Sequence, residues 1–230
     1  MSSDVTQSTY LENGWFIDSD HPKIKAFSKQ HSGKTRKDKT RSVELYLAVR
    51  DLIPYDPFTI RQQPEFLKAS STLADGRGFC VAKAVLYAAV LRAAGIPARI
   101  GFADVRNHLT TPRLMELMQT DIFHHHGYTE VWLDQRWIKA TPAFNKDLCD
   151  KFGILPLDFD GNTDSIFHPF DAEGKRHMEY IQDHGSYADV PFEELMGVYR
   201  KHYPNMFSIP IQNIQGDFEQ ETDDVSSDGV

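Results

Sequence analysis

The stretch GRGFCVAKAVLYAAVLRAAGIP, residues 76–97, constrains the fold more than any other part of the chain. Residues 80–94 are almost all apolar and rich in alanine. A helix that is apolar nearly all round lies inside a domain rather than on its surface. Gly95 and Pro97 then predict where this helix ends. The sequence therefore predicts a buried helix that begins at Cys80, directly after a glycine-rich turn.

Cys80 occupies the first turn of the predicted helix. A thiol there faces the positive end of the helix dipole, which lowers its pKa and favours the nucleophilic thiolate. The alternative is an inert buried thiol, which is how most free cysteines behave. The position of Cys80 alone leaves both interpretations open. A cysteine nucleophile also needs a nearby base, usually a histidine, to accept its proton.

Composition bounds the class of protein. A chain of 230 residues can form one domain with a substantial core. Its net charge of −8 argues against nucleic acid or an anionic membrane as the main partner. It has no apolar run of about 18 residues, the length that a transmembrane helix needs. The polar N-terminus does not resemble a signal peptide, and Cys80 and Cys149 are too few for a disulfide framework, so we expect a reducing cytoplasm.

Hydrophobic periodicity and breaker residues predict a mixed series of elements around the central helix. The predicted helices cover residues 21–31, 40–53, 113–119 and 190–204. The predicted strands cover residues 98–105, 126–133 and 136–144. The segment DAEGKRHMEYIQDH fits either a strand pair or a helix, and the weakly patterned region 145–212 is expected to shape the pocket.

Domain boundaries follow from composition. No internal repeat or clear linker divides the chain, so residues 1–213 are predicted to form a single domain. Residues 214–230 are acidic and contain one aromatic residue, Phe218, and are predicted to be a disordered tail. Deletion of residues 216–230 is therefore expected to leave the melting temperature and turnover almost unchanged.

The predicted hairpin identifies a candidate base. If residues 134–135 form a two-residue turn, Tyr128 pairs with Thr141 and His126 pairs with Ala143. Side chains of a strand alternate between faces, so these four lie on one face of the sheet. Thr141 is then a diagonal neighbour of His126, in the place of a group that orients the imidazole.

Histidines also raise the question of a metal site. His126 heads the strongest predicted strand, and the candidate histidines after the central helix are His108, His124, His125 and His126. Adjacent histidines on an extended segment point to opposite faces, and no carboxylate or cysteine stands at ligand spacing. The sequence therefore predicts no metal and no other cofactor.

Two motifs carry a family resemblance. GRGFCVAKAVLYAAVLRAAGIPARIG followed by HGYTEVWLDQRWIKATP resembles the transglutaminase-like, papain-related superfamily, with a G-x-C at a helix start, an R-x-x-G-I-P-A-R signature and a histidine that opens a hairpin strand. The resemblance covers about residues 43–144. It implies an α+β fold with a papain/transglutaminase-like core, in which the nucleophile helix packs on an antiparallel sheet. It also implies that Cys80 is the nucleophile and His126 the base.

The chain departs from this pattern at the third catalytic position. The family usually has an aspartate there, and the aligned residue is Thr141. A threonine hydroxyl can accept a hydrogen bond from the imidazole and fix its tautomer, but it brings no negative charge. Asn145 and Asp147 are alternative orienting groups. A neutral orienter also serves papain-like enzymes, which favours a working Cys–His pair.

Weaker candidates surround the pair. The backbone N–H of Cys80 is a potential half of an oxyanion hole, because amides at a helix start are unpaired. Tyr55 is either a further donor or a packing aromatic, and the latter is favoured. Glu130 shares the face of His126 and is a potential contact of the site, but a solvated or salt-bridged carboxylate is the favoured role.

Two function hypotheses follow. The first is a thiol enzyme that transfers acyl groups from amide bonds through a thioester, by hydrolysis or transamidation, on a peptide, a protein or a small amide. The second is a non-catalytic module that binds proteins or peptides on the same fold. Neither hypothesis fixes the oligomeric state.

Overall fold

The computed structural model describes residues 8–108, 110–166 and 178–208, together with Phe218 and Glu221. The α-helices are α1 (Pro22–His31), α2 (Asp38–Leu52), α3 (Ala69–Asp75), α4 (Cys80–Ala93), α5 (Pro112–Met118), α6 (Lys146–Phe152), α7 (Phe192–His202) and α8 (Pro204–Ser208). Short 3₁₀ turns occupy Pro57–Thr59 and Pro64–Leu67. The strands are β1 (Ala98–Asn107), β2 (Ile122–Leu133), β3 (Arg136–Ala140) and β4 (Met178–Tyr187).

Helix α4 is the centre of the core, as its composition predicts. Every residue from Cys80 to Arg92 is buried. The helix packs chiefly on β2, and α1, α2 and α3 surround its other sides. The two charged side chains within it are bonded: Lys83 Nζ donates to the carbonyl of Arg50 at 2.9 Å, and Arg92 Nε donates to that of Ala98 at 2.9 Å. These bonds allow the two charges to lie inside an apolar core.

The four strands form one antiparallel sheet in the order β3-β2-β1-β4. Its hairpin has the predicted register, since Leu133 pairs with Arg136 and Thr129 pairs with Ala140. Asp134 and Gln135 have φ values of 48° and 64°, which fits a type I′ turn. The α+β architecture predicted from the sequence, with the cysteine helix on an antiparallel sheet, is confirmed.

The hairpin ladder is shorter than predicted. Strand β3 ends at Ala140, which forms a bridge with Ser165, so Thr141 and Ala143 do not pair with β2. Pro142 explains the early end, because proline has no N–H to donate and restricts the residue before it. The predicted pairing of His126 with Ala143 is therefore wrong, and the ladder partner of His126 is Ala103 of β1.

The weakly patterned region 145–212 contains three helices, α6, α7 and α8, and the edge strand β4 of the sheet. The ambiguous segment ends in strand β4, while its first residues, 171–177, lie outside the described residues. The predicted helix at 190–204 is confirmed as α7. Within the described residues, no helix is both long enough and apolar enough to span a bilayer.

The predicted tail, residues 214–230, lies outside the described residues except for two positions, and both contact the domain. Phe218 is 4% exposed. Its ring centroid lies 5.6, 5.9 and 6.2 Å from those of Tyr55, Phe58 and Phe152. Glu221 Oε1 lies 2.5 Å from Arg113 Nη1. These two side chains are thus packed against the domain rather than solvated.

Candidate active site

Cys80 and His126 line the same pocket. Cys80 lies at the start of α4, and His126 projects from β2, the strand on which α4 packs. Both residues are buried, at 6% and 4% exposed. The pocket is narrow and largely enclosed, with a cavity volume of about 20 Å³, which is room for about one water.

The start of α4 presents free amides to the thiol. The residue before the helix, Phe79, has no side-chain cap bond to the first turn. The N–H groups of the first turn therefore lack intrahelical acceptors. The Cys80 sulfur accepts hydrogen bonds from the backbone N–H groups of Val81 and Gly127. The thiol is thus held at the junction of helix and strand.

Gly127 makes this junction possible. A Cβ at this position would lie 2.7 Å from Val81 Cα and 3.1 Å from Val81 N, closer than side chains pack. Any larger residue would force β2 away from the first turn of α4. The glycine that follows His126 is therefore a requirement for bringing His126 to the same pocket as Cys80.

Burial raises the pKa of the Cys80 thiol to about 11, and the hydrogen bonds from Gly127 and Val81 offset only part of this effect. The sequence predicted a lowered pKa from the helix dipole, and in this closed pocket that prediction is wrong. The free energy needed to remove the thiolate from water is larger than the stabilisation that the helix start and the backbone amides provide. Cys80 is consequently a neutral thiol at about pH 7 in this conformation.

Thr141 lies beside His126 but is not bonded to it. The two side chains line a second, smaller cavity. Thr141 is 4% exposed, and its Oγ1 has no hydrogen-bond partner among the described residues. Its main chain is fixed, with the N–H donating to Ser165 O at 2.8 Å and the carbonyl accepting from Tyr46 at 3.0 Å. The direct bond expected between the Thr141 hydroxyl and the imidazole is therefore not made.

The two alternative orienting residues, Asn145 and Asp147, lie in different environments. Asn145 Oδ1 accepts the backbone N–H of Tyr55 at 3.0 Å and so positions a residue that lines the pocket. Asp147 is exposed in the first turn of α6. Tyr55 packs against Phe144, with ring centroids 4.8 Å apart, and burial raises its pKa well above the ordinary value.

Several pocket residues were not assigned from the sequence. They are mostly apolar or phenolic and come from α5, β2, α7 and α8: Leu114, Met118, Phe123, Tyr199, Tyr203 and Met206. Burial raises the pKa of Tyr199 and of Tyr203, so both phenols stay neutral. The amphipathic pattern of α7 was the available sequence signal for Tyr199. It predicted that one face of the helix is buried, but not that this face lies against the Cys80 pocket. The expectation that region 145–212 shapes the pocket agrees with these positions.

The arginine signature supports the scaffold. Arg92 donates to the carbonyls of Glu12, Ala98 and Ala188, and thereby joins the N-terminal segment, β1 and the end of β4. Arg99 forms a salt bridge with Glu130, which also accepts from Ser186 Oγ at 2.8 Å. Of the two favoured roles for Glu130, the structure shows the salt bridge, and the buried position excludes the solvated one.

Comparison with known proteins identifies a family match. Residues 25–142, just over half of the 230-residue chain, match the profile of the transglutaminase-like superfamily. This range includes Cys80, His126 and Thr141. No curated protein matches the chain significantly.

Three solved structures are similar to this chain. A candidate cysteine protease from Cytophaga hutchinsonii is 16% identical, with a TM-score of 0.46, and the match covers 81% of this chain and 55% of that one. The periplasmic domain of TgpA from Pseudomonas aeruginosa is 21% identical, with a TM-score of 0.44 and coverage of 61% and 47%. A candidate protease from Parabacteroides distasonis is 14% identical, with a TM-score of 0.37 and coverage of 61% and 29%. The chain thus spans about half, or less, of the length of these structures.

Proposed function

Since this chain belongs to the transglutaminase-like superfamily, we propose that it is a thiol enzyme that uses Cys80 and His126 for acyl transfer from amide bonds. One observation carries the proposal: the thiol at the start of the buried helix and the imidazole of β2 line one pocket. The substrate is a peptide, a protein or a small amide.

The proposed reaction has two halves. In the first, Cys80 Sγ attacks the amide carbonyl carbon while His126 accepts the thiol proton. The C–N bond then breaks, His126 donates that proton to the leaving amine, and an acyl thioester remains on Cys80. In the second half, water or another amine attacks the thioester and the thiol is regenerated. The backbone N–H of Cys80 supports the proposal as a donor to the oxyanion, because helix-start amides lack intrahelical partners.

The closed pocket couples substrate binding to activation. Room for about one water cannot hold an acyl group, so the substrate has to displace side chains such as Leu114, Met118 and Met206. Burial is the largest cause of the raised pKa of Cys80. Opening of the pocket towards solvent or a polar substrate therefore lowers this pKa and favours proton transfer to His126.

Hydrolysis and transamidation share the same thioester and differ in the group that attacks it. Water suffices for hydrolysis, whereas transamidation requires a bound amine. A suitable assay therefore follows release of the first amine with and without an added primary amine. Amine incorporation into the product identifies transamidation, and its absence despite turnover identifies hydrolysis.

The proposal is tested with an amide-based probe that reacts covalently with catalytic thiols. We expect stoichiometric labelling of Cys80 in the wild type, little labelling in His126→Ala, and none in Cys80→Ala. Mass spectrometry of a cell extract incubated with wild type or Cys80→Ala then identifies the cleaved or modified substrates. Equal labelling of wild type and His126→Ala would remove the support for a Cys–His pair.

A non-catalytic peptide-binding module is the second candidate. It is favoured by the neutral thiol and by the Thr141 hydroxyl, which lacks a partner among the described residues. This alternative predicts no probe labelling and no turnover. It also predicts that Cys80→Ala binds peptides as tightly as the wild type does.

We also propose a cytoplasmic location. Both cysteines, Cys80 and Cys149, are free thiols, which suits a reducing compartment. Fractionation of cells that express the tagged chain tests this location, and recovery in an oxidising compartment would contradict it.

A further inference from the structure

A second group of polar side chains lies on the sheet, beside the pocket. Asp104 of β1, His125 of β2 and His184 of β4 each offer one potential ligand atom, and these atoms all lie within 4.8 Å of one another. His125 does not line the Cys80 pocket, although its neighbours His124 and His126 do. The group thus draws on three adjacent strands and is separate from the proposed nucleophile.

Two irregularities in the strand ladders create this group: one is opposite Asp104 in the ladder with β2, and the other lies between Phe102 and Ala103 in the ladder with β4. Between the pairs Ala103–His126 and Val105–Phe123, strand β2 has two residues opposite Asp104 alone. On the other side of β1, His184 is the extra residue between two consecutive pairs of the ladder with β4. Bulges of this kind redirect side chains and are frequent beside functional sites. Both extra positions carry a histidine that approaches Asp104.

His125 is both strained and unsatisfied. Its φ of 51° lies in the left-handed region, which is uncommon for residues other than glycine. The residue is 5% exposed, yet neither ring nitrogen has a hydrogen-bond partner among the described residues. The nearest acidic oxygens are Asp104 Oδ1, 3.7 Å from Nδ1, and Glu194 Oε1, 4.0 Å from Nε2. A buried imidazole without partners costs folding free energy, so its presence calls for a ligand.

The surroundings prepare Asp104 as an anionic ligand. Its Oδ1 accepts from the backbone N–H of His125 at 2.9 Å and from His184 Nε2 at 2.8 Å, while Oδ2 lies 3.0 Å from His124 Nδ1. The contact of His124 with Oδ2 thus orients the carboxylate, in the way that hydrogen-bonding residues around a metal site orient the metal ligands.

The two imidazoles suit the same purpose. Both ring nitrogens of the buried His125 lack hydrogen-bond partners among the described residues and are therefore available to a ligand. Neutral imidazole nitrogens and a carboxylate oxygen are the donors that Zn²⁺ and similar ions prefer, often with water in a further position.

We propose that Asp104, His125 and His184 bind a divalent transition-metal ion of the Zn²⁺ type. The rings of His125 and His184 are stacked, with centroids 4.1 Å apart and planes inclined by 24°. For both nitrogens to point at one ion, one ring has to turn out of the stack. The His184 side chain is 21% exposed and has room to do so, whereas His125 is fixed by burial.

The proposed ion would link three strands of the sheet next to the catalytic histidine. It joins β1, β2 and β4 at the residue directly before His126. The bound ion compensates for the unsatisfied imidazole and holds the bulge that sets the direction of β2 as it enters the pocket. The proposed ion is therefore a clamp on the strand that carries the base, and it takes no part in bond breaking.

The test uses the full chain with Cys80→Ala, because the pocket thiol with His126 is a rival site for Zn²⁺. The chelator-treated protein is titrated with Zn²⁺ by calorimetry, and Co²⁺ absorption reports the ligand set. We expect one ion per chain. His125→Asn, which tolerates a positive φ, and His184→Gln, which keeps a donor to Asp104, should each weaken binding at least about tenfold. His108→Gln, an exposed control that pairs with Glu179, should bind as before.

The melting temperature gives a second measurement that needs no variant in the site. Zn²⁺ should raise the melting temperature of the Cys80→Ala chain, and Mg²⁺ at the same concentration should not, because a ligand that binds the native state stabilises it. No Zn²⁺-dependent shift, or binding that survives both His125→Asn and His184→Gln, overturns the proposal. Binding seen with Cys80 present and lost in Cys80→Ala also overturns it, because the ion then belongs to the pocket.

Discussion

His125 and His126 are consecutive residues of β2, but they belong to two differently constructed regions. His126 lies in the Cys80 pocket, which is built from regular elements: a helix start and the strand on which the helix packs. His125 lies in the group with Asp104 and His184, which exists because two ladders are irregular. Residue spacing encodes regular elements, whereas a bulge shifts the register by one residue without an obvious sequence mark. This difference separates what the sequence could predict from what required the structure.

The largest expected effect is at the nucleophile. Cys80→Ala should abolish turnover while the fold remains, because alanine suits a helix and removes just the reacting sulfur. The matched control is Cys149→Ala, a buried thiol of α6 outside the pocket, which should keep nearly all turnover. Product formation and the far-UV spectrum check both variants. Normal turnover of Cys80→Ala would exclude the mechanism, and an equal loss in Cys149→Ala would indicate a pair of thiols.

The next effect tests the comparison directly. His126→Ala should lower turnover by about 10²–10⁴-fold, which is the usual contribution of a catalytic base. His125→Asn should reduce turnover far less, because residue 125 acts through the scaffold. Rates under saturating substrate measure both. If His125 proved essential and His126 dispensable, the assignment of the two histidines to the two regions would be reversed.

The contact between the regular elements can be broken without touching either reacting group. Gly127→Ala would place a Cβ 2.7 Å from Val81 Cα and should cost about 1–3 kcal/mol, with a loss of turnover as β2 moves away from α4. Gly197→Ala, on the exposed side of α7 with no atom within 4 Å of the new Cβ, should stabilise the chain by up to about 1 kcal/mol. Chemical denaturation should thus give opposite signs, and a stable, active Gly127→Ala would show that the junction tolerates expansion.

The sequence predicted the regular region because each step followed a local rule. Alanine-rich apolar residues predicted α4, alternation predicted β2, and the turn at residues 134–135 fixed the hairpin register. The resemblance to the transglutaminase-like superfamily then assigned Cys80 and His126. These predictions did not depend on knowing which elements that are far apart in the sequence contact each other in the fold.

The remainder depended on long-range contacts. No local pattern indicates that His184 approaches Asp104, because the position of β4 at the sheet edge is set by tertiary packing. The absence of a metal was predicted from spacing along the chain, which does not reveal that Asp104, His125 and His184 meet from three strands. The predicted direction of the Cys80 pKa shift was wrong because it was based on the position of Cys80 in the helix, which the local sequence shows. The burial that raises the pKa depends on tertiary packing.

The predicted tail offers a test of local composition against tertiary contact. Residues 214–230 were expected to be disordered, but Phe218 is buried among aromatic rings. Phe218→Ala should therefore destabilise the domain by up to about 3 kcal/mol, the low end for removal of a buried phenylalanine. Phe66→Ala, at a position 45% exposed, is the control and should change the melting temperature little. Equal melting temperatures for both variants would support the composition-based expectation for the whole tail.

The smallest effect concerns Thr141, where the regular hairpin ends. Its hydroxyl is buried without a partner among the described residues, so Thr141→Val, which keeps the shape, should leave stability equal or raise it by up to about 1 kcal/mol. If the hydroxyl orients His126 once substrate opens the pocket, Thr141→Val lowers turnover several-fold and Thr141→Ser retains it.

The pH dependence of thiol alkylation separates these outcomes. Burial places the pKa of Cys80 at about 11, so the iodoacetamide rate of the substrate-free enzyme should rise about tenfold per pH unit from pH 7 towards pH 10. A carboxylate at this position, Thr141→Asp, should stabilise the imidazolium beside the thiolate and raise the rate near pH 7. Thr141→Val should follow the wild-type curve when no substrate is bound, because no bond is lost. A raised neutral rate in Thr141→Asp therefore shows that residue 141 reaches His126, whereas three superimposable curves would assign the orienting role elsewhere, with Asn145 the next residue to test.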